Sequence, residues 1–230
     1  MHIVHGTSIS KGIVSGNLIF ASNDNFNISK TTNSDVELEL RKFQKARADA
    51  MNQLQSIYER ALHKVGESNA KIFVIQQMMI HENSFTDSVR NMIKKEHVSA
   101  QYAVSSVADR HIKLLDSTGD EYMQARTADI RDLSQRVIRN LTRRSAFTVP
   151  KGNNIVLYKH FLSPSEIIEF DPRIVVASIT YKGSKYSHSA ILARAMSMPS
   201  MTDISEDISR YSGRRITVNA DCGQISIHGK

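Results

Sequence analysis

Tryptophan is absent from this chain of 230 residues, cysteine occurs once, and proline only four times. The lone Cys222 excludes an internal disulfide and any cysteine-rich zinc site, and it fits a reducing cytoplasm. No apolar run approaches the roughly 18 residues of a membrane span, and Met1–Phe20 lacks the basic start and continuous apolar stretch of a secretory signal. Arginine-rich arms and nucleic-acid-binding motifs are missing too. The formal charge is +7, but Lys and Arg alternate with Asp and Glu as on solvated helix faces, so neither nucleic acid nor membrane is the expected partner. What remains is a globular composition, 40% hydrophobic and 23% charged, long enough for one large domain or two small ones.

The scarce residues are unevenly spread. From Ser34 to Arg144 there are two glycines and no proline, whereas all four prolines fall after Phe147. The start, "IVHGTSISKGIVSGNLIFA", reads as short β-branched strands broken by Gly6, Gly12 and Gly16. The middle has a helical period. A capping box from Ser34 to Glu37 opens it, Val36, Leu40, Phe43, Ala50, Leu54, Ile57 and Ala61 follow at mostly three- or four-residue steps, and Gly66 is a natural stop. Further helices are expected in 70–80, in 85–95, in 100–115 behind a Ser99 cap, and in 120–141 after Gly119. Beyond Phe147 the β texture returns in "NIVLY", "RIVVASIT", "RRITVN" and "QISIH". Neither flank can make a core alone. The expected arrangement is therefore an α/β domain from residues 1–22 and 147–230, with an antiparallel helical bundle, 34–144, inserted into it.

The stretch "KGSKYSHSAILAR", Lys182–Arg194, carries the most chemistry. Helix formers follow His188, and Ser187 and Ser189 are both suitable N-caps, so the imidazole lies at or beside a helix start. Unpaired N–H groups and the macrodipole there favour an anion, which suits a histidine that carries a phosphoryl group. A solitary histidine near a cap is more often an ordinary surface residue, so the motif needs support from elsewhere in the chain.

That support is a resemblance over nearly the whole chain. "GTSISKGIVSGNLI", "DEYMQARTADIRDLSQRVIRNL", "FLSPSEI" and "SHSAILARAMSMP" occur in the order seen in the amino-terminal half of enzyme I of the bacterial phosphoenolpyruvate:sugar phosphotransferase system. The resemblance implies a swivelling phosphohistidine β/β/α domain with an inserted helical bundle. It implies that His188 is phosphorylated at Nε2, with Gly183, Ser184, Ser187, Ser189 and Arg194 forming the phosphate's surroundings. The phosphoryl donor would be phosphoenolpyruvate on a separate carboxy-terminal barrel, with magnesium bound there and no metal or other cofactor in this chain. The acceptor would be a histidine-containing phosphocarrier protein docking on the bundle at Ile72, Met78, Met79, Phe85 and Arg126, exposed near its tip. "QISIHGK" falls about where the family's linker to the barrel begins.

Three positions depart from the family's pattern. Ser184 replaces a second glycine or alanine, Tyr186 a small hydroxyl residue, and Ile167 the Thr that orients the active imidazole. The Ser163, Ser187 or Tyr186 hydroxyl is the available substitute. Residues 34–96 carry nine acids against ten bases, a weak steering field for a basic carrier. The alternative to an active phosphotransfer domain is a diverged, non-catalytic module that binds a carrier and regulates.

Overall fold

The computed structural model describes residues 2–22, 26, 28–32, 35–145, 148 and 151–228. The chain divides into two compact units, Met1–Asp24 with Thr148–Lys230, and Asn25–Phe147. The first is built on one eight-stranded mixed sheet and the second on helices, an α/β fold with an inserted helical bundle.

The strands of the sheet unit are β1 (His2–His5), β2 (Thr7–Ser10), β3 (Ile13–Phe20), β4 (Ile155–Lys159), β5 (Val175–Thr180), β6 (Ser200–Thr202), β7 (Arg215–Asn219) and β8 (Gln224–Ile227), in the order β1-β8-β7-β3-β4-β5-β6-β2. Strands β3 to β6 run parallel, so the centre is covered on both faces, and "IVLYK" of β4 is buried at every position. The outer strands pair antiparallel. The two edge strands, β1 and β2, are consecutive in the chain and separated only by Gly6. Val4, Leu18, Tyr158, Ile179, Met201, Ile216 and Ile225 belong to one buried cluster. Short helices α6 (Pro164–Glu169) and α7 (His188–Ala195) pack against each other and contribute buried Ile167, Ile168 and Leu192.

The helical unit comprises α1 (Val36–His81), α2 (Asn83–Glu96), α3 (Ala100–Asp116), α4 (Glu121–Ala125) and α5 (Thr127–Thr142). Helix α1 is two arms that meet at Gly66, whose φ of 77° and ψ of 166° lie outside any helix. The arms fold back on one another, as the Gln77 Nε2 bond to Gln55 Oε1 (3.2 Å) requires of residues equally far from the break. On the first arm Phe43, Ala46, Ala50, Leu54, Ile57 and Ala61 are buried at steps of three and four. Each large one contributes about 1.5–3 kcal/mol by leaving water.

Two local details differ from the sequence expectation, and a third was not anticipated. Ser34 lies outside the described residues, and α1 is capped by Asp35, which accepts from the Leu38 N–H at 2.9 Å. The helix expected over 120–141 is interrupted at Arg126, whose N–H bonds to Met123 O in a tightened turn, leaving α4 and α5. Glu39, charged and yet only 4% exposed, is explained by its partners. Its Oε2 accepts from the Ala100 N–H that opens α3 (2.7 Å), and its Oε1 accepts from Lys42 (2.7 Å).

Candidate active site

His188 is the first residue of α7, and it is half-buried. Ser187 is the cap: its Oγ accepts from the Ala190 N–H (3.2 Å) and its carbonyl from the Ile191 N–H (3.0 Å). The loop before it is tied down at each step. The Ser187 N–H donates to Ser184 O (3.1 Å), and the Tyr186 N–H donates to Ser184 Oγ (3.1 Å). With the backbone so constrained, the imidazole leaves the chain at a defined point over the first turn of the helix.

Two expected phosphate neighbours also hold the loop. Arg194 donates from Nη1 to Lys185 O (3.1 Å), bracing the loop across one face of α7. Ser189 is buried and donates from Oγ to Leu162 O (2.7 Å), tying α7 to the segment that leads into α6. The family resemblance implied phosphate contacts for both. Their geometry gives them backbone carbonyls as partners, which fixes the exposed loop against α7 and the segment before α6.

Gly183 has a steric reason to be glycine. A Cβ there would lie 2.4 Å from Thr202 Oγ1 and 3.3 Å from Thr180 Oγ1. Those hydroxyls bond to each other at 2.8 Å, from neighbouring strands β5 and β6. The loop thus leaves β5 directly over a hydroxyl pair. This pair was not evident in the sequence, because the two threonines are far apart in the chain and meet only through strand pairing. Tyr186 is exposed with Lys185 over its ring (5.1 Å), and Lys182 stands over Tyr181 (5.4 Å), giving the loop a cationic, aromatic rim.

On the other side of α6, the capping box is complete. Ser163 Oγ accepts from the Glu166 N–H (3.3 Å) and Glu166 Oε2 from the Ser163 N–H (3.0 Å), while Glu166 Oε1 pairs with buried Lys159 (2.5 Å). The Ser163 hydroxyl is therefore committed to the helix and to Ser165 (3.2 Å). Ile167 is 1% exposed and brings no hydroxyl.

A second polar group centres on Asp207. Burial works to raise its pKa, but bonds from the Ser209 N–H (2.8 Å), Tyr158 Oη (2.9 Å) and His160 Nε2 (3.3 Å) prevail and hold it down to about 2. Tyr158 is pushed up, chiefly by burial and then by Asp207. The His160 ring sits among Phe20, Tyr158 and Tyr181. Among the described residues no three His, Cys, Asp or Glu side chains form a group able to hold a metal ion.

The expected docking residues divide in two. Ile72 and Phe85 are core residues, 4% and 8% exposed, with Phe85 edge-on to His111. Their apolar character serves the interior of the bundle, which corrects the expectation of an exposed spot there. Met78 is 63% exposed and Met79 half-buried. Arg126 is partly covered, stacked on Tyr122 (4.3 Å) and facing Asp129 (3.7 Å). Ile75, three residues before Met78, is exposed as well.

Comparison with known proteins fixes the family. Residues 5–126 match the model described as PEP-utilising enzyme, N-terminal, and residues 151–223 match that of the PEP-utilising enzyme mobile domain. The chain belongs to the PEP-utilising enzymes. His188 and its whole loop fall inside the mobile-domain match. Among relatives, a phosphoenolpyruvate-protein phosphotransferase of Latilactobacillus sakei is 30% identical over 86% of this chain and 35% of its own length. One of Enterococcus faecalis is 27% identical over 98% of this chain and 40% of its own. The chain thus spans little more than a third of these relatives. In structure it is similar to an Enzyme I protein solved by NMR, with a TM-score of 0.74 and 28% identity over 99% of this chain and 93% of that one. The N-terminal domain of a nitrogen Enzyme 1, 18% identical with a TM-score of 0.63 over 97% and 93% of the two chains, shares the fold. This PEP-utilising chain is thus similar to an Enzyme I protein over nearly its whole length. Among the described residues no helix is long and apolar enough to cross a membrane.

Proposed function

We propose that this chain is a phosphohistidine relay. His188 accepts a phosphoryl group from phosphoenolpyruvate bound on a separate barrel domain and hands it to a histidine-containing phosphocarrier protein. The observation that carries this reading is the place of His188 as the first residue of a capped helix, inside the segment matching the mobile domain. A neutral imidazole is a competent nucleophile without an added base. Its Nε2 lone pair forms a bond to phosphorus as the P–O bond to the enol oxygen breaks, and the enolate leaves with that electron pair and takes a proton at its methylene carbon to become pyruvate. In the second transfer the Nε2–P bond breaks as the carrier's imidazole forms its own. Such transfers depend on positioning and on stabilising spread charge. The braced loop supplies the first, and the open end of α7 favours the second. Magnesium would act on the barrel domain, where it offsets charge on phosphoenolpyruvate, and no step here requires it in this chain. The carrier would dock on the helical unit, where Ile75 and Met78 offer an exposed apolar pair on one face of the second α1 arm.

The test is phosphate exchange with labelled, phosphorylated carrier. An acid-labile, base-stable phosphoprotein is expected, absent in His188→Ala. Label persisting on His188→Ala, or none on the wild type, would overturn the relay. Ile167 favours a second reading, a binding module without chemistry, since the position is apolar and buried. Carrier binding by a chain that never acquires label, even as Ile167→Thr, is the result that module would give.

A further inference from the structure

The charge of the helical unit is unevenly laid out. Residues 30–125 balance thirteen Lys and Arg against thirteen Asp and Glu, whereas 126–144 hold six arginines against two aspartates. Three of the six, Arg139, Arg143 and Arg144, converge on an open cavity of about 450 Å³ whose opposite wall comes from α1 with Asp49 and Gln53. A helix C-terminus favours nearby cations, but that effect fades within a turn and does not require three of them to line one cavity.

The site is built before anything enters it. Asn140 donates from Nδ2 to Ala46 O (3.1 Å) and accepts from Gln53 Nε2 at Oδ1 (2.9 Å), so amides stitch α5 to α1. Helix α5 ends on a turn in which the Arg143 and Arg144 N–H groups both donate to Arg139 O, with Arg143 left-handed at φ 52°. Arg139 is only 8% exposed, and Arg143 and Arg144 are open to solvent. A guanidinium held where water is scarce and two exposed ones beside it, Arg144 standing over the Phe26 ring (5.5 Å), suit a multiply charged anion, since the planar forks match phosphate oxygens in pairs. Asp49 shapes the rest of the ligand. It repels a bare anion but accepts from hydroxyl groups, as the wall amides also can. The cavity volume admits a molecule of about ten to twenty heavy atoms, within the usual range of small-molecule sites.

We propose that this cavity binds a small phosphorylated polyol, its phosphate among Arg139, Arg143 and Arg144 and its hydroxyls toward Asp49 and Asn140. The site is independent of His188. Titration of the 230-residue chain with glucose 6-phosphate, inorganic phosphate and glucose, followed by calorimetry and by NMR of side-chain amides, tests it. Glucose 6-phosphate should bind saturably and more tightly than inorganic phosphate, shifting the Gln53 and Asn140 amide signals, while glucose alone should not bind. Arg143→Asn combined with Arg144→Gln should weaken binding at least tenfold, which corresponds to about 1.4 kcal/mol. Both residues are exposed and Asn tolerates the left-handed backbone, so the unfolding temperature should stay the same. Asp49→Asn should narrow the preference for the sugar phosphate over inorganic phosphate. Equal affinity for those two ligands would overturn the polyol assignment. Binding unaltered in the double variant, or no saturable signal up to about 10 mM ligand, would overturn the site itself.

Discussion

At the scale of single residues, the site owes its geometry to contacts that a side-chain label does not reveal. Gly183 is the sharpest case. Adding one methyl drives it into the Thr180–Thr202 hydroxyl pair, so Gly183→Ala should cost about 1–3 kcal/mol of stability in the sheet unit. Thermal unfolding checks this, and Thr202→Ala in the same chain should restore part of the loss by removing the obstructing hydroxyl. Asp207 makes a prediction in pH. Its folded pKa of about 2 lies below the unfolded value of about 3.9, so its contribution is full above that value and is lost as pH falls through about 2. The side chain is 42% exposed, and solvent screening reduces the contribution to about 1 kcal/mol. Asp207→Asn should therefore be less stable than wild type by roughly that amount at pH 7, and the gap should close near pH 2 in denaturant titrations.

At the scale of elements, periodicity and caps were legible and their tertiary partners were not. The start of α7 at His188 follows from Ser187 and the helix formers behind it, and the break at Gly66 follows from glycine in a helical run. Ile72 and Phe85 show the limit. Apolar residues at helical spacing read the same whether they face a core or a partner, and only packing makes them core. Arg194, Ser189 and Glu39 show the same limit for polar groups, since each is claimed by a backbone group remote in sequence or set by the fold. Gly66 carries the element's own prediction. A Cβ there meets nothing within 4 Å, so Gly66→Ala acts through the backbone alone, in a region of φ and ψ almost reserved for glycine. It should cost about 1–3 kcal/mol. By favouring a straight α1 it should also populate an arm-exchanged dimer, visible by light scattering at high protein concentration. A strictly monomeric variant of unchanged stability would show that the hairpin does not depend on this glycine.

For the whole molecule, the arrangement of the sheet edges is decisive. One short stretch at the start of the chain covers both β8 and β6, because β1 and β2 sit at opposite ends of the strand order. Deleting His2–Ser10 should therefore uncover two edges at once and lead to association through unpaired N–H and C=O groups. Circular dichroism should show the helical signal largely kept while the sheet unit loses its cooperative transition. Proteolysis should then spare the helical unit, whose core is contributed by residues of its own segment.

The same pairing has a consequence for synthesis. His2 leaves the ribosome long before its partner, Ile227, is made. Chains emerge at about 5–20 residues per second, so the first strand waits some ten seconds or more for its neighbour. The helices form from sequence-local contacts and can close during that interval, which is the faster class of folding event. Translation arrested before β7 and β8 would release a helical body already folded, with a histidine made and no sheet to hold it in place.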